Sequence, residues 1–116
     1  MAPPRLRLNP PLYHVLLTLA EGPSHGYALI TAVAERTGGR VELGPSSLYY
    51  ALGRLEEAGL IRDCEPEAAG DEPHEEQRRY YTLTEAGWDR LRREVEILSE
   101  ILAHARAVGL GSEGSV

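Results

Sequence analysis

The amino-acid sequence predicts a mainly α-helical fold with one small β-hairpin and a long helix near its C-terminal end. Three patterns predict it. Apolar residues recur at helical spacing in four stretches, each bounded by capping or breaking residues. Two short β-prone runs flank a polar segment containing Pro66, Gly70 and Pro73. The last helical stretch carries a heptad repeat rather than a single broad apolar face. A chain of 116 residues has room for one domain around one core.

Asn9-Pro10 reads as an N-cap followed by proline at the first helical position. Leu12, Val15, Leu16 and Leu19 then share a face until Gly22-Pro23 stops the helix. Ser24 is expected to cap a second helix whose apolar face is Tyr27, Ile30, Val33 and Ala34, ending at Gly38-Gly39. Arg40 to Leu43 is β-compatible and reads as a short strand. The third helix opens at Pro45 and closes at Gly59, with Leu48, Leu52 and Leu55 facing the core and Ala51 and Ala58 beside them. Leu60-Ile61 and Tyr80 to Leu83 are the hairpin strands, and Thr84 caps a fourth helix running to about Val108. Residues 1–8 and 109–116 are expected to be flexible ends. Three helices followed by a two-stranded hairpin is the winged helix-turn-helix arrangement, here over residues 9–83. Residues 84–108 then form a C-terminal dimerisation helix.

Bulk properties exclude several function classes. No run of eighteen apolar residues suggests a membrane span. MAPPRLRLNPP lacks the apolar stretch of a secretory signal, and the single Cys64 has no disulfide partner, so a reducing cytoplasm is the expected home. Nucleophile–base sets, metal-ligand clusters and GxGxxG or Walker patterns are missing, so neither an enzyme nor a bound cofactor or metal is expected. The net charge of −6 is unevenly spread. Residues 1–62 hold six arginines against five glutamates, whereas residues 63–83 hold seven acids against two arginines. The half containing the first three helices is thus almost neutral.

Two helices carry the functional signal. On the third, Ser46, Tyr50, Gly53, Arg54 and Glu57 lie opposite the leucines, with Ser47 and Tyr49 on the flanks. Hydroxyls near a helix N-terminus suit phosphate oxygens, and an arginine fork suits guanine or phosphate. Gly53 would let the helix approach a groove closely. The wet side of any amphipathic helix can look like this; its position just before a hairpin favours DNA. On the fourth helix, Trp88, Leu91, Val95, Leu98, Leu102 and Ala105 form an a/d seam widened by Ile97, Ile101 and Val108. A helix of about 24 residues spans roughly 36 Å, more than a small winged domain can cover, so a second copy is expected on this face.

At this point the chain resembles the PadR family of transcriptional regulators over nearly all of residues 9–105. The resemblance rests on GPSHGYALI (22–30), SSLYYALGRLEEAGLI (46–61) and RRYYTLTEAG (78–87) in that order and spacing. It implies a winged-helix homodimer that binds double-stranded operator DNA, usually as a repressor and sometimes released by a small effector. The fourth helix looks like the family's dimerisation helix, in a short form with a single such helix. Two departures stand out. Tyr50 occupies a position where the family commonly has proline, and the wing tip is more acidic than usual.

Glu65, Glu67, Asp71, Glu72, Glu75 and Glu76 crowd that tip, with Arg78 and Arg79 at its root. A carboxylate is repelled by phosphate over about 8 Å at physiological salt, so the tip is expected to point away while Arg78 and Arg79 touch the backbone. Such a tip would weaken non-specific binding more than operator binding. His74 among these acids is a poor metal site because loop carboxylates are rarely preorganised. Cys64 as a redox switch and His25 as a phosphate contact rank low, and Trp88 is expected to wedge against its own domain. The competing reading is a winged-helix protein-interaction module that does not bind DNA, which the negative net charge and absence of lysine would suit.

Overall fold

The computed structural model describes residues 6–70 and 78–111. Four of the six wing-tip acids, His74 and the last five residues lie outside the described residues. The elements run α1 (Pro10–Ala20), β1 (Ser24–His25), α2 (Gly26–Thr37), α3 (Pro45–Glu57), β2 (Ile61–Cys64), a 3-10 turn (Pro66–Ala69), β3 (Tyr80–Leu83) and α4 (Glu85–Ala107). The strands form one antiparallel sheet in the order β1-β3-β2, with Ile61 opposite Leu83 and His25 opposite Tyr80. This is the winged helix-turn-helix architecture with a long terminal helix.

Local signals set the helix ends. The Asn9 side chain accepts the Leu12 amide at 3.0 Å, and Thr84 accepts that of Gly87 at 3.0 Å, each satisfying an amide the helix itself leaves unpaired. Gly38 and Gly39 close α2 with φ of 61° and 83°, values that favour glycine. The core then assembles from Val15, Leu16 and Leu19 of α1, Leu29 and Val33 of α2, the three leucines of α3, and Ile61, Tyr81 and Leu83 of the sheet.

The structure corrects several sequence expectations. Residues 40–43 are not a strand. The Val41 amide donates to the Thr37 hydroxyl at 3.0 Å, which folds the segment back onto α2 instead of offering it to a sheet. The third strand is Ser24–His25, so the α2 cap is not Ser24. His25 caps instead, its Nδ1 accepting the Ala28 amide at 3.2 Å. Nor is Tyr27 a core residue, being 73% exposed; Gly26, Leu29, Val33 and Thr37 form the buried face. Ala58 is exposed as well. At the N-terminal side, Leu6 is buried and Leu8 packs on the core, so residues 6–8 belong to the body of the domain. At the other end the Leu110 amide returns to the Ala105 carbonyl at 2.9 Å, continuing the cap of α4 through residues 109–110.

α4 is seated by one close approach and one polar network. A Cβ built on Gly87 would lie 2.0 Å from the Leu60 carbonyl oxygen, so only glycine lets the first turn of α4 rest on the chain entering β2. The Thr84 hydroxyl donates to the Gly59 carbonyl at 2.6 Å and the Thr84 amide to that of Leu60, fixing the same corner. Farther on, the Tyr13 hydroxyl and Arg90 Nε both donate to Glu94, at 3.0 and 2.9 Å, and Arg90 Nη2 donates to the Leu6 carbonyl. Burial, helped by the Glu94 hydrogen bond, pushes the Tyr13 phenol above its ordinary pKa, which keeps it a donor. Gly87→Ala is expected to lower the unfolding free energy by about 1–3 kcal/mol or more, because the backbone it meets has no flexible end to move. Denaturant unfolding checks this, and unchanged stability would contradict the close approach.

Candidate nucleic-acid interface

α3 presents the surface that its leucine spacing demands. Leu48, Leu52 and Leu55 are buried, which turns Ser46, Tyr50, Gly53, Arg54 and Glu57 outward. No side chain caps the start of α3, whose N-cap is Gly44, in contrast to α1, α2 and α4. Its first-turn amides and the exposed Ser46 and Ser47 hydroxyls are therefore available to an anionic oxygen. Tyr49 and Tyr50 stand exposed beyond them. Arg54 Nη1 donates to the Tyr50 hydroxyl at 3.0 Å, and its guanidinium lies 5.8 Å from the Tyr50 ring centroid. This i,i+4 pair holds a planar donor fork against an aromatic face, in a form suited to a base edge or a phosphate. Nothing lies within 4 Å of a Cβ placed on Gly53, so no contact inside the chain requires glycine there.

A cleft of about 870 Å³ borders this face. Leu12, Leu43 and Ala51 contribute to its apolar lining, and Ser46, Ser47, Tyr50 and Arg54 line it together with Arg7 and Glu42. Sequence reasoning missed Arg7, although the Leu6-Arg7-Leu8 alternation marks it as the outward residue of an extended segment.

The wing root differs between its two arginines. Arg79 is already engaged: its guanidinium sits 3.3 Å from Glu56 and 3.4 Å from Asp63, and 5.4 Å from the Tyr81 ring centroid. Exposed pairs like these are each worth about 0–1 kcal/mol, so a phosphate can displace them at a small cost. Arg78 lies 3.3 Å from His25 Nε2 and is exposed. His25 thus caps α2, stacks edge-on against Tyr80 at 5.1 Å and meets the wing root. These contacts join α2 to the hairpin.

The seam on α4 divides in two. Leu91, expected on the dimer seam, is only 5% exposed and packs in the core of its own domain. Beyond it the expected residues are uncovered: Val95 is 47% and Leu102 48% exposed, and Leu98, Ile97 and Ile101 are exposed too, with Ala105 half-buried. Trp88, on the first turn, is partly exposed with the Arg92 guanidinium over its ring at 5.7 Å. Only Gly87 and Leu91 of α4 are buried, and Glu94 is held by Tyr13, so the described part of the winged domain supports the helix to about its third turn and leaves a long apolar stripe beyond. Burial raises the Cys64 thiol above its usual pKa despite the opposing pull of Arg62, and a protonated thiol is a poor redox sensor. Among the described residues no three metal-ligating side chains converge, and no helix is long and apolar enough to cross a membrane.

The profile of the transcriptional regulator PadR-like family matches residues 15–93. The chain belongs to the PadR-like family of transcriptional regulators. This PadR-like chain thus falls in a family of transcriptional regulators, not of enzymes. It is 38% identical over 96 residues to an uncharacterized 37.1 kDa protein in transposon TN4556 of Streptomyces fradiae. That match spans 83% of this chain but only 25% of the relative. Among solved structures it is similar to a PadR family transcription regulator from Clostridium difficile R20291, with 25% identity and a TM-score of 0.70 over 89% of this chain and all of that one. A PadR family regulator from Eggerthella lenta matches at 29% identity and a TM-score of 0.59, over 84% of this chain and 81% of that one. A transcriptional regulator from Clostridium thermocellum, 24% identical with a TM-score of 0.69, shares the fold over 87% of this chain and 90% of that one.

Gly53 separates stability from contact. Gly53→Ala is expected to raise the unfolding free energy by about 0.5–1 kcal/mol, the ordinary gain at an unstrained mid-helix site, while weakening binding to duplex DNA. Chemical denaturation and gel-shift titration of the same variant check both halves; unchanged DNA affinity would show that the bare patch is not an approach surface.

Proposed function

We propose that this PadR-like chain acts as a homodimer that binds a pseudo-palindromic operator in the cytoplasm and represses transcription by occupying it. The observation that carries this reading is the stripe on α4 beyond Leu91, apolar and uncovered over Val95, Leu98, Ile101 and Leu102. Soluble proteins rarely leave such a stripe open, and a second copy of the same helix is its natural cover. The paired helices would then hold two copies of α3 about 34–36 Å apart, one helical turn of DNA, so that each enters a major groove.

In that arrangement Tyr50 and Arg54 read base edges with Ser46, while Ser47, Tyr49 and Arg78 position the backbone. Arg79 joins them by exchanging its carboxylate partners for phosphate. The exposed Glu65 and Glu67 begin an acidic tip that discourages adhesion to random DNA. A small effector that altered the α4 pairing would change the head spacing and release the operator. Engagement of Arg79 by Glu56 and Asp63 favours a second reading, a protein-binding winged helix, since it leaves the wing with less positive charge to offer DNA.

Salt dependence separates the two readings. If roughly six to eight phosphates are neutralised per dimer, log K falls against log salt with a slope near −5 to −7, and a slope near zero supports the protein-binding reading. Arg54→Ala is expected to cost about 1–3 kcal/mol on the operator and much less on random duplex, as read by competition gel-shift. Equal loss on both would make Arg54 a backbone contact.

A further inference from the structure

Residues 6–9 run along the body of the domain outside any helix or strand, and three of their four side chains are committed to it. Leu6 is 9% exposed in the core, Leu8 packs against the same cluster, and Asn9 caps α1. The backbone is held as well, because the Leu6 carbonyl accepts from Arg90 of α4, itself braced by Glu94. The Arg7 side chain is the exception. It is exposed, and no hydrogen-bond or ion-pair partner for it is found among the described residues. It lines the cleft of about 870 Å³ that Ser46, Ser47, Tyr50 and Arg54 also line.

We propose that Arg7 is a further nucleic-acid contact of this chain, taking a backbone phosphate at the side of the α3 reading face. The inference deepens the DNA-binding reading above and rests on it. The chemistry is that of a phosphodiester oxygen: a guanidinium offers it up to two donors, and the adjacent serine hydroxyls complete the seat. Glu42 also lines the cleft, so the two arginines leave it with one net positive charge. Arg78 and Arg79 cannot duplicate this contact from where they sit. Their neighbours are His25, Glu56 and Asp63, none of which lines the cleft. A side chain rising from a backbone already pinned on both sides loses little chain entropy on binding, which is what a positioning contact needs. The pin at Leu6 comes from α4, so the helix proposed to join two copies also steadies this arm.

The test uses the full chain and a duplex that the wild-type protein enriches from a random-sequence pool. Arg7→Ala is compared with Arg7→Lys and wild type by gel-shift at several salt concentrations. With two arms per dimer, Arg7→Ala should make the salt slope shallower by about 2 and weaken binding on the order of ten- to a hundredfold near 0.1 M salt, on enriched and random DNA alike. Arg7→Lys should restore most of the slope, which a merely structural role would not do. Loss confined to the enriched duplex would overturn the phosphate assignment in favour of a base contact. Wild-type binding with no change in Arg7→Ala would overturn the arm contact and leave the α3 reading standing. Failure of the wild type to enrich any duplex would overturn both.

Discussion

The contact between Gly87 and the Leu60 carbonyl is the constraint on which the geometry of this chain depends. It decides how closely α4 approaches the hairpin, and therefore the direction in which the helix leaves the domain. With no Cβ in the way, Thr84 reaches the Gly59 carbonyl and Leu91 reaches the core, and the first two turns become a rigid part of the winged body. Every residue after Leu91 then projects along a path already set. The Tyr13–Glu94–Arg90–Leu6 network repeats the constraint from the other side and ties α1 and the segment before it to the same helix. A side chain at position 87 would tilt this whole lever, so a small steric term at one corner governs the placement of the distant apolar stripe.

The charge pattern fits a molecule that meets phosphates locally while remaining acidic overall. The outer surface of α3 has an uncapped N-terminus, serine hydroxyls and a Tyr50–Arg54 pair, and its only outward carboxylate in that register is Glu57, at the far end. Acidic charge collects instead from Asp63 onward, where part of it is spent on Arg79. Coulombic effects between exposed groups fade within about a Debye length, so what matters to a groove is the sign of the nearest few side chains, not the chain total. The acidic total therefore does not set the local potential at the outer face of α3, where Arg54 and Glu57 balance.

Much of the fold was legible because its signals are local. Asn9-Pro10, Pro45 and Thr84 each act on the amides next to them, and the leucine spacing of α3 permits only one buried face. The readings that failed depended on distant partners. β1 is two residues long and exists because β3 offers it a free edge, which no local propensity records. On α2, adjacent Leu29 and Ile30 allow two faces about 100° apart. Packing chose Leu29, since Gly26 on that face lets Leu48 and Tyr49 come within 3.2 Å of where a Cβ would stand. The candidate site shows the same division. Arg54 with Tyr50 follows from i,i+4 spacing, whereas the ion pairs of Arg79 join residues 16 and 23 positions away. Leu91 fits the heptad seam in sequence, yet it is the residue where that seam enters the domain.

If α4 pairs with a second α4 through the stripe beyond Leu91, that pairing sets the distance between the two α3 helices. Sedimentation equilibrium of the purified chain at micromolar concentration tests it most directly. The expected result is a species of twice the 12.7 kDa chain mass that reverts to single chains when Leu98 and Leu102 are both replaced by glutamate. A wild-type protein that sediments at 12.7 kDa, with operator duplex or without it, would rule out pairing through α4.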